Sequence, residues 1–216
     1  MVTAPVQKST LIEAGNDFVG HTEFLAQRAG VGTPVMMLAT DTLRVALVTI
    51  HLPLSEVPRA VTRETLEAVL RVIDADLRAR FGIPAPVIGV CGLNPHAGEA
   101  GYLGREEQDV IVPVINMLRA EGLVLQGPLP ADTAFTQQNL KAVDVVVAMF
   151  HDQGLPVIKH AGFGEVVNAT LGLPFVRTSV DHGTAYGIAG QGIASPASLI
   201  EAVKIGVSLS RRREEL

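Results

Sequence analysis

An apolar run of strand length, "VVVAMFHDQG" at residues 145–154, ends abruptly in a histidine, an aspartate and a nearby glycine. Valines that follow one another without polar alternation are typical of a strand covered on both faces of a parallel sheet. Taken alone, His151 would be an ordinary boundary residue that is hydrogen-bonded at the end of its strand. Its significance therefore depends on whether other strands end in the same way.

The composition excludes several classes of protein. Hydrophobic residues make up 48% of the chain and charged residues 18%, which describes a globular protein and not a disordered one. A net charge of -5 and a pI near 5.7 give no general attraction to nucleic acid or anionic membranes. The chain contains no apolar span of the roughly 20 residues that cross a bilayer, and its first residues lack the apolar core of a signal peptide. We therefore expect a soluble, cytoplasmic protein.

The single cysteine, Cys91, excludes an intrachain disulfide, which fits a reducing compartment. It lies in "VIGVCGL", where a small buried residue is a better interpretation than a nucleophile.

Short apolar runs alternate with segments of helical period along the chain, the pattern of an α/β fold. The predicted strands occupy residues 34–40, 44–50, 86–92, 123–127, 144–150 and 175–180.

Three helices are predicted from apolar residues that recur at helical spacing. The first covers residues 63–81, with Thr62 as its cap and Gly82 after its end. The second covers residues 106–121, and Pro113 inside it should kink the helix or delay its start. The third begins at the capping pair Ser195 and Pro196. Its predicted inner face contains Leu199, Ile200, Val203 and Val207.

Two further predicted strands are also followed by a histidine shortly after their ends. The run "RVALVTI" leads directly into His51, and "PVIGVCG" is followed by "LNPHAGEAG", which carries His96. The carboxyl ends of strands in open α/β sheets line ligand crevices. Three histidines at that edge could hold a divalent cation with open coordination positions. Since their spacing matches no short metal motif, boundary histidines without a ligand remain the alternative.

Several polar residues elsewhere suggest an anionic ligand. His21 and Thr22 stand at a predicted helix start, whose amides could receive an anion. Arg177 interrupts an apolar strand, so it is either paired with a carboxylate or faces a ligand. Asn168 is interpreted either as a ligand contact or, more simply, as a turn residue. His182 follows a strand in "SVDHGTA", although Asp181 beside it also fits an ordinary turn.

The standard nucleotide fingerprints are absent: no GxGxxG follows a predicted strand, and neither GxxxxGK[ST] nor GxSxG occurs. The residues by themselves therefore indicate a metal-binding α/β enzyme that handles an anionic metabolite.

Six stretches resemble the 4-hydroxythreonine-4-phosphate dehydrogenase family of vitamin B6 biosynthesis, in the order found in that family. They are "GHTEFLA", "HLPL", "CGLNPHAGEAG", "GPLPADTAF", "FHDQGLPVIK" and "LGLPFVRTSVDHGTA". The resemblance implies an isocitrate/isopropylmalate dehydrogenase-like three-layer α/β fold, which binds its dinucleotide without the GxGxxG fingerprint. It also implies a homodimer with the site near the subunit interface.

The activity implied is NAD- or NADP-dependent oxidation of 4-phosphohydroxy-L-threonine, followed by decarboxylation to 3-amino-2-oxopropyl phosphate. By the same resemblance, zinc, magnesium or cobalt would be bound by His51, His96 and His151. The implied substrate contacts are His21, Thr22, Lys159, Asn168 and Arg177. Asp132 and Asp152 are candidates for the general base, with capping or orienting roles as open alternatives.

The chain also departs from the family. It matches the C-terminal two-thirds of the family sequence as a single catalytic-type region, in which no division into lobes is resolved. Gln7 stands where the family commonly has histidine. We expect the metal and phosphate residues to be retained while dinucleotide binding and turnover are weakened or lost.

The alternatives are a related dehydrogenase for erythronate or threonate 4-phosphate or for a dihydrodiol carboxylate, and a non-catalytic dimer module that binds metal and anions. Zinc-dependent hydrolysis is a weaker third reading.

Overall fold

A mixed sheet of eight strands forms the centre of residues 1–162 and 164–213, the part of the chain that the computed structural model describes. The strands follow the order β1-β8-β7-β2-β3-β6-β4-β5 across the sheet. Their bounds are β1 Val2–Thr3, β2 Val35–Ala39, β3 Arg44–Leu47, β4 Val87–Cys91, β5 Val124–Leu129, β6 Val145–Ala148, β7 Val167–Leu171 and β8 Arg177–Val180.

The sheet has a parallel half and a largely antiparallel half. Strands β3, β6, β4 and β5 are parallel neighbours, whereas β2 is antiparallel to β3 and β7, and β7 to β8. All six predicted strands are confirmed, with ends shifted by a few residues. Strands β1 and β7 were missed because β1 has only two residues and the polar side chains of β7 ("VNATL") conceal its strand character.

Nine α-helices lie within the described residues. Their bounds are α1 Lys8–Glu13, α2 His21–Ala29, α3 Val57–Ala60, α4 Arg63–Ala79, α5 Val112–Ala120, α6 Ala131–Ala134, α7 Gln137–Leu140, α8 His151–Ala161 and α9 Ala197–Arg213. The prediction for α4 is confirmed, including its cap, because the Thr62 hydroxyl accepts a hydrogen bond from the Thr65 amide at 3.2 Å.

Alternating residues of the central strands divide the core into layers. In β2, Met37 packs with the cluster beneath α4 and α5, while Met36 and Leu38 join the cluster beneath α8. Helix α4 contributes Leu70 and Ile73, both 0% exposed, and burying such a side chain is worth about 1.5–3 kcal/mol. Helices therefore cover both faces of the sheet, which confirms the predicted three-layer α/β fold.

Pro113 delays the start of α5, as predicted. A π-helical turn, Glu107–Ile111, precedes the helix, because proline has no amide hydrogen to donate to the carbonyl four residues earlier. That carbonyl, of Asp109, instead accepts from the guanidinium of Arg63 at 2.7 and 2.9 Å.

The predicted inner face of α9 is wrong. Leu199, Ile200, Val203 and Val207 are 42–47% exposed. The buried face consists of smaller residues together with Leu209: Ser198, Ala202 and Gly206. The Thr178 hydroxyl donates to the Ala202 carbonyl at 2.8 Å, and a Cβ placed on Gly206 would lie 2.9 Å from the same hydroxyl. The helix backbone approaches β8 so closely that only small side chains fit between them.

No helix among the described residues is both long and apolar enough to cross a membrane.

Candidate functional site

His51, His96 and His151 all follow carboxyl ends at one edge of the sheet, because β3, β6 and β4 are adjacent and parallel. The pairing of β3 with β6 continues almost to His51 and His151. The Thr49 amide and hydroxyl both donate to the Met149 carbonyl, at 3.1 and 2.7 Å. The rings of His51 and His151 consequently lie 5.7 Å apart, centroid to centroid.

Both of these histidines have a ring nitrogen or an environment suited to binding a metal ion. His151 is the first residue of α8, and its Nδ1 lies 2.6 Å from Asp152 Oδ1, which leaves Nε2 available. Partial burial, followed by the charges of Lys8 and His151, lowers the pKa of His51, so its ring is neutral at neutral pH. A cleft of about 300 Å³ adjoins the pair and is lined by Ile50, His51, Leu52, Leu54, Val57, Phe150, His151 and Asp152.

His96 does not join this pair. It is exposed, in a left-handed turn that covers Pro95–Gly101. Within residues 1–162 and 164–213, no group of three or more histidine, cysteine, aspartate or glutamate side chains could hold a metal ion. Two imidazoles at a cleft fit a borderline divalent cation such as zinc or cobalt, and the role of His96 as a third ligand remains a prediction.

Arg177 is almost fully buried, at 4% exposure, in the first position of β8. Its guanidinium donates to the hydroxyls of Thr3 at 2.7 and 3.2 Å and of Thr170 at 2.9 Å. In the described part of the chain no carboxylate lies within ion-pair distance of it, which argues against the carboxylate-paired alternative. Burial lowers the pKa of Arg177, and an arginine remains charged even so. A buried cation with neutral partners favours an anionic ligand.

Asn168 lies within strand β7, opposite Leu38 and Ser179, so its interpretation as a turn residue is wrong. Its Oδ1 is buried and has no hydrogen-bond partner among the described residues. Buried polar atoms are nearly always paired in native proteins. This oxygen is therefore suited to accept a hydrogen bond from a ligand.

His21 and Thr22 occupy the first two positions of α2, which confirms the predicted helix start. Thr22 is buried at 6% exposure. The His21 ring packs edge-on against Phe18, with ring centroids 5.5 Å apart. Burial and the charge of Arg177 lower the pKa of His21, which places these two residues within electrostatic range of each other.

Lys159 pairs with Asp181, with its Nζ 3.3 Å from Oδ1. A cavity of about 460 Å³ beside this pair is lined by Lys159, Gly164, Val166, Asp181, His182, Gly183, Ser195, Ala197 and Ser198. Burial raises the pKa of Asp181, although Lys159 and then His182 and His151 oppose that shift. From the sequence Asp181 was interpreted only as a turn residue, and its position directly after an apolar strand was the available signal of a functional role.

The two carboxylates predicted as general bases lie in different surroundings. Asp152 is 80% exposed but holds the His151 ring, which supports an orienting role. Asp132 is an exposed residue of α6, and its carboxylate takes part in no hydrogen bond among the described residues.

Electrostatic interactions link the cleft beside His51 and His151 with the charged residues Arg177, Lys159 and Asp181. Glu23 of α2 acts on both His51 and Arg177, and its charge opposes the lowering of the pKa of each that burial causes. On the other side of the cleft, His151 and Lys159 both act on Asp181. The predicted metal and substrate residues, apart from His96, therefore belong largely to one region of the molecule.

This mixed α/β sheet, with polar residues after the carboxyl ends of its strands, defines the class of the fold. The structure superimposes on isocitrate dehydrogenase from Methylococcus capsulatus with a TM-score of 0.57 over 99% of this chain and 69% of that chain. Since the two sequences are 16% identical, the likeness shows the fold alone.

The chain belongs to the family described as pyridoxal phosphate biosynthetic protein PdxA, whose model matches residues 1–206. It is 60% identical to 4-hydroxythreonine-4-phosphate dehydrogenase from Chromobacterium violaceum, over 97% of this chain and 64% of that protein. The crystal structure of the dehydrogenase of that name from Klebsiella pneumoniae gives a TM-score of 0.88 at 42% identity, again over 97% and 64% of the two chains. The chain thus spans about 64% of the length of the relatives it matches.

A more distant likeness joins the chain to a second dehydrogenase. The terephthalate 1,2-cis-dihydrodiol dehydrogenase from Burkholderia xenovorans gives a TM-score of 0.75 at 30% identity, over 96% of this chain and 65% of that chain.

Proposed function

We propose that this chain carries the metal and substrate residues of an NAD- or NADP-dependent dehydrogenase that oxidises 4-phosphohydroxy-L-threonine. The secondary alcohol would lose a hydride to the nicotinamide and a proton to a base. The resulting 3-oxo acid would then lose carbon dioxide and give 3-amino-2-oxopropyl phosphate. The observation that carries the proposal is the His51–His151 pair, 5.7 Å apart, in one region with the buried cation Arg177.

His51 and His151 would hold a divalent cation, either with His96 of the same chain or with a ligand from the other subunit of a homodimer. Such a cation lowers the pKa of a bound hydroxyl and polarises a carbonyl. Asp152 holds the His151 ring through Nδ1 and so leaves Nε2 as the nitrogen that would bind the cation.

The phosphate and carboxylate of the substrate would be bound by the cationic side of the site. Arg177 can clamp an anion through two parallel hydrogen bonds, and Lys159 adds a point charge. The unpaired Asn168 Oδ1 would accept from the substrate's ammonium or hydroxyl group. His21 and Thr22, at the start of α2, would present the first amides of that helix to the same ligand.

Proton transfer is assigned to a carboxylate near these groups. Asp181 has a raised pKa and lies 3.3 Å from Lys159, which makes it a better-placed acid–base group than the exposed Asp132.

The test is NAD(P)H formation by the purified chain with 4-phosphohydroxy-L-threonine and added cobalt or zinc. Turnover that needs the metal, is lost in His151→Ala and survives in His160→Ala would support the proposal, since His160 is an exposed residue of the same helix. If the folded wild type turns nothing over while it binds metal through His51 and His151, the non-catalytic binding module is the better description.

The likeness to the dihydrodiol dehydrogenase favours one second candidate, a dehydrogenase for a dihydrodiol carboxylate. Both substrates offer a hydroxyl for the metal and an anion for Arg177. A panel with 4-phosphohydroxy-L-threonine, erythronate and threonate 4-phosphate and a dihydrodiol carboxylate separates the two by kcat/KM.

A further inference from the structure

The segment that carries His96 has an unusual backbone. His96, Ala97, Gly98, Glu99 and Ala100 have φ angles of 53°, 52°, 81°, 41° and 55°. Four of these five residues are not glycine, and consecutive left-handed residues are unfavourable for L-amino acids. Such a conformation persists only where the surrounding structure holds it.

The buried carboxylate of Glu107 holds the residues that lead into this run, and Gln108 Nε2 donates to the Ala100 carbonyl at its far end at 2.9 Å. Glu107 is 2% exposed and is the first residue of the π-helical turn. Its Oε1 accepts from the amides of Leu93 and Asn94, at 2.8 and 2.7 Å, and its Oε2 accepts from Asn94 Nδ2 at 3.0 Å. A Cβ on Gly98 would lie 2.5 Å from Oε2, so the segment is wrapped closely around the carboxylate.

Gln153 joins this segment to the one that carries His151. Its Oε1 accepts from the Met149 amide at 2.6 Å, and its Nε2 donates to the Gly92 carbonyl at 2.7 Å. Met149 follows strand β6 and Gly92 follows strand β4. One side chain thus connects the two strand ends from which His151 and His96 emerge.

We infer that Glu107 and Gln153 are positioning residues, which fix the backbone of His96 and its place relative to His151. The inference rests on the proposed function, because it assigns His96 to the same metal site. Neither residue touches a ring nitrogen of the histidines in the structure, so each acts through the backbone that it holds.

Two substitutions change the hydrogen bonding with little change in volume. Glu107→Gln places an NH₂ group against Asn94 Nδ2 or against the two backbone amides. Gln153→Glu places a carboxylate oxygen against the Gly92 carbonyl. Glu13→Gln and Gln138→Glu make the same chemical changes at exposed positions and serve as controls. Asn94→Ala removes the side-chain hydrogen bonds to Glu106 and Glu107 but keeps the two backbone amide bonds, and it provides a milder variant if Glu107→Gln does not fold.

Two readouts are measured for each variant. Amide hydrogen exchange of residues 92–104 in the metal-free protein should become about tenfold faster or more, while exchange of α4 stays unchanged. Affinity for cobalt alone should fall roughly 10- to 100-fold, as for other groups that orient metal ligands. The controls should match the wild type in both.

Unchanged exchange of residues 92–104 in both Glu107→Gln and Gln153→Glu would overturn the inference. Faster exchange with unchanged cobalt affinity would also overturn it, provided that His96→Ala weakens binding in the wild type. If His96→Ala leaves cobalt affinity unchanged, the metal site proposed above has failed at His96, and the assignment of Glu107 and Gln153 to that site fails with it.

Discussion

The imidazole rings of His51 and His151 lie 5.7 Å apart and are inclined at 42° to each other. They come from distant parts of the chain and meet because β3 and β6 are parallel neighbours whose pairing continues to Thr49 and Met149. Each ring thus follows a hydrogen-bonded strand end and not a free loop. The pairing of the two strands therefore sets the distance between the rings.

Replacement of either histidine of the pair should weaken cobalt binding by at least about tenfold, since loss of an outer-shell partner alone typically costs that much. His51→Ala and His151→Ala are compared with His160→Ala by competition against a chelator, with the metal-free protein as the start. Equal cobalt affinity in His51→Ala and the wild type would contradict the assignment of His51 as a ligand.

Thr3→Val should destabilise the protein by about 1–3 kcal/mol, because it removes the acceptor of two guanidinium hydrogen bonds from the buried Arg177. Urea denaturation measures the free energy of unfolding. The control Thr42→Val changes an exposed hydroxyl and should stay within about 0.5 kcal/mol of the wild type. A loss no larger than that of the control would mean that Arg177 finds another acceptor.

Leu209→Ala and Leu199→Ala test which face of α9 packs on the sheet. Leu209 is 5% exposed and Leu199 is 42% exposed. We expect a loss of about 2–5 kcal/mol for the first and under about 1 kcal/mol for the second, measured by chemical denaturation. The reverse order would show that the larger apolar residues face the core.

His21→Gln should reduce the loss of stability at acid pH. Burial and Arg177 lower the pKa of His21 below its ordinary value of 6.5, so the folded state binds a proton less readily than the unfolded state. Stability is therefore lost as the pH falls from 6.5 towards the folded pKa. Denaturation of the metal-free protein over this pH range gives the slope, with His160→Gln as the control. Identical slopes in His21→Gln and the wild type would contradict this account.

Cys91 should be unreactive in the native protein. Its side chain is 0% exposed, and burial raises the pKa of the thiol to about 12. At about pH 8, roughly one thiol in ten thousand would then be the reactive thiolate. Ellman's reagent should label Cys91 slowly in buffer and rapidly in denaturant, whereas rapid labelling of the native protein would show that the site opens easily.

The local signals in the sequence predicted much of the fold. The cap of α4 at Thr62, the delay of α5 before Pro113 and the histidines after three parallel strands all follow from neighbouring residues. These features depend on backbone sterics and on hydrogen bonds between residues close in the chain, so they can be predicted from short stretches of sequence. The two polar residues of β7 concealed a strand, because its pairing partners lie far away in the chain.

By itself, the sequence determined the alternation of strands and helices, the edge of the sheet that carries His51, His96 and His151, and the buried state of Cys91. Only the tertiary structure decided which face of α9 packs inward and how the His96 segment is held. The spacing of apolar residues shows which of them share a face of a helix, but not which face packs inward. Helix α9 lies so close to Thr178 that only small residues such as Ala202 and Gly206 fit between them. The residues just before His96 are likewise held by Glu107, whose buried carboxylate accepts from the amides of Leu93 and Asn94, contacts that no local pattern reveals.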